Sequence, residues 1–411
     1  MGTYCLGDEI SAAAPRSSQR PGLVGSAGSG AVTDYPSASP LGPKSGDVKL
    51  SVRSLRKSYG SVIALGDTSV DMAEGEFLTL LGPSGSGKTT LLMAIAGLNL
   101  PDSGEVWIDG KLATYLPPSR RDIGMVFQNY ALFPHMTVAE NIAFPLRMRK
   151  TPEAVIRGEV ARSLEMIQLP HVADRLPRQL SGGQQQRIAL ARCMVYQPSI
   201  ILMDEPLGAL DKKLRDRMQL EIKRLHTELG ITILYVTHDQ EEALVMSDRI
   251  CLMNEGRIEQ IGTPQDLYFR PKTVFAADFL GESNLLRGTL RFSSATAEVD
   301  VPGVGILRGV PPQHPVDAFV MGAAVTLMVR PESVRVLASG ESADNVVEVN
   351  LRDRVLVGQV TRLYAHLADG TEIVATSLTS LDTIAPEPGQ RLRFGWSAGN
   401  TVALLDGREA R

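Results

Sequence analysis

One short segment constrains the fold of this 411-residue chain more than any other, a glycine-rich turn at residues 82–89 that reads GPSGSGKT. The apolar run FLTLL at Phe77–Leu81 is typical of a buried strand and leads straight into the turn. The run TLLMAIA follows at residues 90–96 and favours a helix. Glycines let the backbone curl so that its N–H groups point inward, and a helix N-terminus adds partial positive charge. This order of strand, turn and helix predicts a phosphate-binding loop.

Two side chains of this turn have predicted roles of their own. We expect Lys88 to carry its charge to the β- and γ-phosphates of a nucleotide, and the Thr89 hydroxyl to bind Mg²⁺. The alternative is a glycine loop that merely caps a helix, and the flanking strand and helix argue against it. The predicted nucleotide-binding residues of the segment are Gly82, Pro83, Ser84, Gly85, Ser86, Gly87, Lys88, Thr89 and Thr90.

Two other strand-like runs are followed by polar side chains. The run at residues 199–205, SIILMDE, closes with the carboxylates Asp204 and Glu205. Because ligands bind at the carboxyl ends of parallel strands, Asp204 is placed to hold Mg²⁺ and Glu205 to polarise an attacking water. The run at residues 232–237 is followed by His238, which is placed to hydrogen-bond a γ-phosphate and the water. The alternatives are a solvated charge pair and an ordinary surface or core histidine.

A second glycine motif, LSGGQ at residues 180–184, opens a helical segment that is predicted to run from Gln185 to about Tyr196. Ser181 suits the N-cap position, and Gln184 lies three residues further on, as a capping box requires. The motif is therefore either the start of a well-capped helix or a second anion site at a helix N-terminus. These residues alone leave the two interpretations equal.

The order of these motifs resembles that of the ABC transporter ATPase family, in which LSGGQ is the signature motif. The resemblance covers about residues 48–283 and implies an α/β fold, a P-loop NTPase ABC ATPase domain with a helical subdomain. It also implies ATP as the nucleotide, with Mg²⁺, and a head-to-tail homodimer. In that dimer, ATP on Lys88 of one subunit is covered by Ser181 and Gly183 of the other. The nucleotide contacts implied by the motif are Ser181, Gly182, Gly183 and Gln184.

The same resemblance implies roles for three further residues. Tyr59 resembles the aromatic residue that stacks on adenine, with a strand-packing tyrosine as the alternative. Gln128 resembles the glutamine that senses Mg²⁺ and water, so we expect it to be both catalytic and metal-binding. Asp211 resembles the residue that couples the two ATP sites, in a loop where the family more often has serine than the Gly208 of this chain.

The character of the sequence changes at two places along the chain. The first 47 residues are rich in Gly, Ser, Ala and Pro, which predicts a disordered leader with no part in the chemistry. After the ATPase-like residues 48–283, alternating runs such as VEVNL at residues 347–351 predict a small all-β domain over residues 284–411. This segment resembles the OB-like accessory (TOBE) module of importer ATPases, for which we expect a regulatory or dimer-stabilising role.

Composition and resemblance together limit the partners. The formal net charge of −4 and the lack of a basic, aromatic stripe in the C-terminal segment give no reason to expect nucleic acid. No apolar run reaches the ~18 to 20 residues that span a bilayer, so we expect any membrane connection to go through partners. The resemblance implies two integral-membrane permease subunits, an extracytoplasmic solute-binding protein acting indirectly, and a peripheral position at the cytoplasmic face of the cell membrane. Three cysteines without C-x-x-C spacing suit a reducing cytoplasm.

The cargo is predicted from resemblance only. Polyamine-type importer ATPases tend to have GESN at the position of residues 281–284, and GALDKK at residues 208–213 favours the same group. The predicted solute is therefore spermidine or putrescine. Importers of iron(III), sugars or glycerol phosphate are the alternatives, followed by an exporter ATPase and by a soluble ABC ATPase that acts on ribosomes or DNA.

Overall fold

The computed structural model describes residues 48–208, 210–312, 319–379 and 386–405, and the leader predicted for residues 1–47 lies outside them. The strands of the first part are β1 (Val48–Tyr59), β2 (Val62–Ala73), β3 (Phe77–Leu81), β4 (Ser103–Ile108), β5 (Lys111–Leu112), β6 (Ile123–Val126), β7 (Ile200–Asp204), β8 (Ile233–Thr237), β9 (Arg249–Asn254) and β10 (Arg257–Gly262). The helices are α1 (Lys88–Ala96), α2 (Val138–Met148), α3 (Glu153–Met166), α4 (Gly182–Met194), α5 (Lys212–Leu229), α6 (Gln240–Met246), α7 (Pro264–Phe269) and α8 (Val274–Phe279).

The central sheet contains six of these strands in the order β10-β9-β3-β8-β7-β6. The pairs from β9 to β6 are parallel, and β10 joins one edge antiparallel to β9. Every residue of β3 and of β8 is buried, which explains why both strands are predominantly apolar and do not alternate. Since β3, β8, β7 and β6 run parallel and side by side, their carboxyl ends meet at one edge. The polar residues that follow these strands are thereby brought together.

A four-stranded antiparallel sheet, in the order β2-β1-β4-β5, shares its core with the central sheet. Its buried residues Leu50, Leu55 and Leu65 belong to the same apolar cluster as Leu78 of β3 and Leu91 of α1. Helix α1 is therefore held by apolar contacts with both sheets. This packing holds the N-terminus of α1 at the carboxyl end of β3.

Helices α2, α3 and α4 pack together and form the predicted helical subdomain around a core that includes Ile142, Leu164 and Ile188. Helix α4 begins at Gly182, three residues before the predicted start, because the Ser181 cap brings both glycines into the first turn. No helix within the described ranges combines the length and the apolar character that a membrane crossing requires.

The second part of the chain is built from strands. They are β11 (Asn284–Ser293), β12 (Ala297–Val301), β13 (Gly305–Gly309), β14 (Ala324–Val329), β15 (Arg335–Val336), β16 (Asn345–Val357), β17 (Val360–His366), β18 (Glu372–Leu378), β19 (Arg391–Trp396) and β20 (Thr401–Leu405). They form two five-stranded sheets, in the orders β13-β12-β11-β14-β20 and β15-β19-β16-β17-β18. Phe394 and Trp396 lie in the apolar core to which both sheets contribute. The prediction of an α/β fold followed by a small all-β segment is confirmed.

Arg330, the residue after β14, ties this segment to the helices that precede it. Its guanidinium donates to the carbonyl oxygens of Tyr268, Ala277 and Gly281 at 2.8 to 3.1 Å. The guanidinium carbon also lies 4.1 Å from the centre of the Tyr268 ring. Arg330 is 2% exposed, so these contacts form inside the protein and not on its surface.

Candidate active site

The loop between β3 and α1 has the close backbone packing that the glycine-rich sequence predicts. Gly82, Gly85 and Gly87 have φ angles of 156°, 80° and 97°. A Cβ atom at Gly82 would lie 2.2 Å from the carbonyl oxygen of Met253, and one at Gly87 would lie 2.5 Å from that of Ala64. Both obstacles are backbone atoms, so these two positions require glycine. Among the described residues, no side chain caps the first N–H groups of α1, which suits them to bind an anion.

Lys88, the first residue of α1, turns its side chain back into this loop. Its Nζ donates to the carbonyl oxygens of Gly82 at 2.8 Å and Pro83 at 2.9 Å, and the residue is 6% exposed. Among the described residues it forms no ion pair, and burial lowers the pKa of Lys88 while the carboxylates nearby oppose the shift. The Ser86 hydroxyl is also buried, without a hydrogen-bond partner in the described part of the chain. A buried ammonium and an unpartnered hydroxyl in one loop fit a phosphate group.

Thr89 and Asp204 lie side by side at the end of β7, where Oγ1 of Thr89 donates to Oδ1 of Asp204 at 3.4 Å. Burial and the charge of Glu205 raise the pKa of Asp204, and the Thr89 hydrogen bond opposes the shift. Hydroxyl and carboxylate oxygens are ligands that Mg²⁺ prefers, and it is usually held by one or two carboxylates together with substrate phosphates. The described residues contain no group of three or more His, Cys, Asp or Glu side chains that could hold a metal ion. The pair thus fits a Mg²⁺ that is shared with a nucleotide.

Glu205 and His238 come into contact although 33 residues separate them (238 − 205). Nδ1 of His238 lies 3.1 Å from Oε1 of Glu205. The two residues follow the neighbouring strands β7 and β8, and the N–H of Glu205 donates to the carbonyl oxygen of Val236 at 3.0 Å. Glu205 has a φ of 44°, a strained conformation for a residue with a side chain, and such strain is concentrated at functional sites. The pair is well placed to hold a water molecule beside the phosphate loop.

Gln128 lies two residues beyond the end of β6, the strand that pairs with β7. Its side chain is exposed, and a Cβ atom at Gly208 would lie 3.8 Å from its Nε2. Gln128 therefore lies near the loop that follows Glu205. No hydrogen bond joins Gln128 to Asp204 or Glu205 within the described ranges, so its catalytic and metal-binding roles remain predictions.

The signature-like segment forms a capping box at the start of α4. The N–H of Gln184 donates to Oγ of Ser181 at 3.4 Å, and the N–H of Ser181 donates to Oε1 of Gln184 at 3.0 Å. A Cβ atom at Gly182 would lie 3.2 Å from Leu210, and one at Gly183 3.0 Å from Leu214, so the helix start packs on the residues around the start of α5. Among the described residues, no hydrogen bond joins this segment to the phosphate loop.

Two further predicted residues, Asp211 and Tyr59, form hydrogen bonds with residues outside the phosphate loop. Asp211 is the N-cap of α5, and its Oδ1 accepts from the N–H of Leu214 at 3.0 Å. Tyr59, the last residue of β1, is 49% exposed, so it is not a core tyrosine. Its hydroxyl accepts from Nδ2 of Asn99 at 3.0 Å, and Nζ of Lys57 lies 5.5 Å from the ring centre. The exposed ring is available for stacking, and its role remains a prediction.

Sequence reasoning missed the polar residues around His238. Asp239 caps α6, and Glu242 is buried in the first turn of that helix. Arg215 of α5 donates to Oδ2 of Asp239 at 3.0 Å. The spacing of Asp239 and Glu242 is that of an N-cap residue and its N3 residue, and this signal could have drawn attention to both.

Comparison with known proteins gives two family matches. Residues 65–208 match the ABC transporter family, and residues 327–404 match the TOBE domain. A solved structure of cbiO1 from Clostridium perfringens, described as part of the ABC transporter complex cbiONQ, is similar in fold. The TM-score is 0.51 and the identity 31%, over 57% of this chain and 93% of that one.

The curated relatives extend the similarity over most of the chain. The spermidine/putrescine import ATP-binding protein PotA of Methylococcus capsulatus is 47% identical over 86% of this chain and 91% of its own length. The protein of the same name from Thermobifida fusca is 49% identical over 86% of this chain and 93% of its own length. The resemblance to the ABC transporter ATPase family is confirmed, and the chain belongs to the family of ABC transporter ATP-binding proteins.

Proposed function

We propose that this chain is the ATP-hydrolysing subunit of an ABC importer that takes up a polyamine, spermidine or putrescine. The observation that carries the ATPase part is the edge of the parallel sheet, where the phosphate loop, the Thr89–Asp204 pair and the Glu205–His238 pair lie on neighbouring strands. The names of the similar proteins support the choice of cargo.

In this proposal the phosphate loop binds ATP through the backbone and side chains of residues 82–90, and Lys88 places its charge on the β- and γ-phosphates. Tyr59 stacks on the adenine with its exposed ring face. Thr89, Asp204 and Gln128 would hold the Mg²⁺. When bound there, Mg²⁺ would supply positive charge that offsets the negative charge developing on the phosphate oxygens.

Glu205 and His238 act on the water and on the phosphate. Glu205 orients the water and accepts its proton as the water oxygen attacks the γ-phosphorus and the bond to the bridging oxygen of ADP breaks. His238, in contact with Glu205, hydrogen-bonds the γ-phosphate. It thereby holds the carboxylate and the phosphate in the relative position that the attack of the water requires. Gln128 senses the Mg²⁺ and the water, and it moves with the permease.

A second copy of the chain completes the site. In a head-to-tail homodimer the Ser181–Gln184 segment of one subunit covers the phosphate loop of the other. The exposed Ser181 and the N-terminal N–H groups of α4 suit contact with an anion. Asp211, at the start of α5 beside that segment, couples the two ATP sites.

The remaining parts of the proposal concern the surroundings of this ATPase. Residues 48–283 form the nucleotide-binding domain, and residues 284–411 form an OB-like regulatory domain. The dimer binds two integral-membrane permease subunits at the cytoplasmic face of the membrane. An extracytoplasmic solute-binding protein delivers the polyamine, and nucleic acid has no part in the process.

Uptake of labelled spermidine and putrescine tests the proposal in cells that lack the gene and carry either the wild-type or the Lys88→Ala chain. We expect uptake with the wild-type chain alone, because Lys88 is needed for the phosphates. Equal polyamine uptake by both, with Lys88-dependent transport of iron(III), a sugar or glycerol phosphate, would reject the cargo and leave the ATPase proposal standing. Normal ATP hydrolysis by purified Lys88→Ala protein would reject the ATPase site itself.

A further inference from the structure

A buried polar network lies next to His238 and is centred on Glu242. This residue, in the first turn of α6, is 3% exposed. Its Oε2 accepts from the Tyr235 hydroxyl at 2.8 Å and from Oγ1 of Thr237 at 2.7 Å. Burial raises the pKa of Glu242, and these two hydrogen bonds oppose the shift. Burying a carboxyl group is costly unless it is fully bonded, so a residue of this kind suggests a role beyond filling the core.

The hydrogen bonds from Glu242 reach the backbone on both sides of His238. Oγ1 of Thr237, which donates to Glu242, also accepts from the N–H of Asp239 at 3.0 Å. The residues before and after His238 are thus joined to each other and to α6. The imidazole is 59% exposed, and its nearest charged partner is Glu205. With so little packing of its own, the imidazole depends on this backbone for its position.

Arg215 of α5 connects the same backbone to the other side of the site. Its Nη1 donates to Oδ2 of Asp239 at 3.0 Å, and its Nη2 donates to the carbonyl oxygen of Leu210 at 3.1 Å. Its Nε lies 3.9 Å from Oε1 of Glu242. Leu210 belongs to the loop that follows Glu205. Arg215 therefore links the histidine loop and the carboxylate loop through one planar group with fixed donor directions.

We propose that Glu242 and Arg215 are positioning residues that hold the backbone around His238, so that the imidazole stays against Glu205 and reaches the γ-phosphate. They act on hydrolysis through His238 and touch neither the nucleotide nor the water. The inference rests on the proposed ATPase function of the site. It goes beyond that function because it explains why an exposed histidine has a defined place.

The chemistry of the network distinguishes two substitutions at position 242. Tyr235 and Thr237 both donate to this residue and need an acceptor. Glutamine can turn its amide oxygen toward both donors and has nearly the same shape, so it preserves the network. Alanine removes the acceptor, leaves two buried hydroxyl groups with no acceptor for their hydrogens and opens a cavity. Glu241→Gln is the matched control, because Glu241 is the exposed neighbour on the same helix.

A double-mutant cycle on the full-length chain tests the proposal through ATPase kinetics. We expect His238→Ala to lower kcat by about 10²-fold or more, as is typical when a hydrogen-bond donor to charge that develops in the transition state is lost. Glu242→Ala is expected to lower kcat by at least about 10-fold but no further than His238→Ala, with KM for ATP changed less than about 3-fold. When Glu242→Ala is added to His238→Ala, kcat is expected to fall by less than about 2-fold relative to His238→Ala alone. The reason is that the side chain through which Glu242 acts is already absent.

Three further single variants are compared with this cycle. We expect Glu242→Gln and Glu241→Gln to keep kcat within about 3-fold of the wild-type value, and Arg215→Met to behave like Glu242→Ala. If the losses of His238→Ala and Glu242→Ala multiply in the double variant, Glu242 acts independently of His238 and the proposal is wrong. A glutamine variant as impaired as the alanine variant, or a loss confined to KM, leads to the same conclusion.

Nuclear magnetic resonance of ¹³C-labelled histidine tests the positioning without any hydrolysis. The ring resonance of His238 is identified by its absence from the His238→Ala spectrum. We expect it to move or broaden in Glu242→Ala and to keep its wild-type position in Glu242→Gln and Glu241→Gln. An unchanged resonance in Glu242→Ala overturns the inference even if the wild-type chain is an active ATPase. A wild-type chain that does not hydrolyse ATP contradicts the proposed function instead.

Discussion

Replacing Arg330 by methionine is expected to destabilise the protein at the point where the β-sheet segment meets α7 and α8. Methionine keeps much of the aliphatic stem but removes every donor of the guanidinium. The carbonyl oxygens of Tyr268 and Gly281 then lose the partner that lies 2.8 and 3.1 Å away. The carbonyl oxygen of Ala277 keeps a donor, the Ser283 hydroxyl at 2.8 Å. That of Glu282, 3.3 Å from the guanidinium, belongs to an exposed residue and can bond to water instead.

The expected loss in the free energy of unfolding follows from the number of hydrogen bonds that are lost. A buried polar group left without a partner costs about 1 to 3 kcal/mol, so two carbonyl groups cost about 2 to 6 kcal/mol of the free energy of unfolding. Loss of the contact with the Tyr268 ring adds to this, by about 0.5 to 2 kcal/mol for a cation over an aromatic face. At about 2 to 4 °C per kcal/mol for a domain of this size, the melting temperature is expected to fall by at least about 4 °C.

The assay is thermal unfolding followed by circular dichroism, with Arg335→Met as the matched control. Arg335 is an arginine a few residues further on, its side chain is 58% exposed, and it pairs with Glu341 at the surface. Removing such a surface pair costs about 1 kcal/mol or less. If Arg330→Met melts within a degree of the wild type, or no lower than Arg335→Met, the buried hydrogen bonds do not hold the two parts together and the reasoning is refuted.

Three further predictions concern the active site. Glu205→Gln is expected to bind ATP but to hydrolyse it about 10²-fold more slowly or worse, since the amide cannot accept the proton. Gel filtration with Mg-ATP should show a trapped dimer. Normal turnover by a monomer would exclude Glu205 as the base. Gly82→Ala is expected to abolish ATP binding, measured with a fluorescent analogue, because its Cβ would meet a backbone oxygen at 2.2 Å. The Cβ of Gly85→Ala meets nothing within 4 Å, so this variant should bind ATP better than Gly82→Ala. Equal affinities of the two variants would contradict the prediction. Chelation by EDTA should stop hydrolysis, and addition of Mg²⁺ should restore it. Hydrolysis that persists in EDTA would contradict a role for the Thr89–Asp204 pair in holding a required Mg²⁺.

The phosphate loop could be predicted from the sequence because its determinants are local. Three glycines, a lysine and a hydroxyl residue at fixed spacing define the turn, and the apolar run of β3 places it at the end of a buried strand. The capping box of Ser181 and Gln184 is local for the same reason, since its two hydrogen bonds join residues three apart. The continuous apolar runs of β3, β7 and β8 indicated a parallel sheet, whose carboxyl ends carry the polar residues.

Strand order and the contacts across it were decided by the tertiary structure. The sequence places His238 and Glu205 after two apolar runs, but only the pairing of β7 with β8 brings Nδ1 and Oε1 to 3.1 Å. Glu242 was overlooked, because a carboxylate in the first turn of a helix is ordinarily a solvated residue that stabilises the helix dipole. It is buried here because Tyr235 and Thr237 of β8 direct their hydroxyl groups at it. Local patterns determine which elements form, whereas the free energy of a buried charge depends on neighbours that only packing assembles.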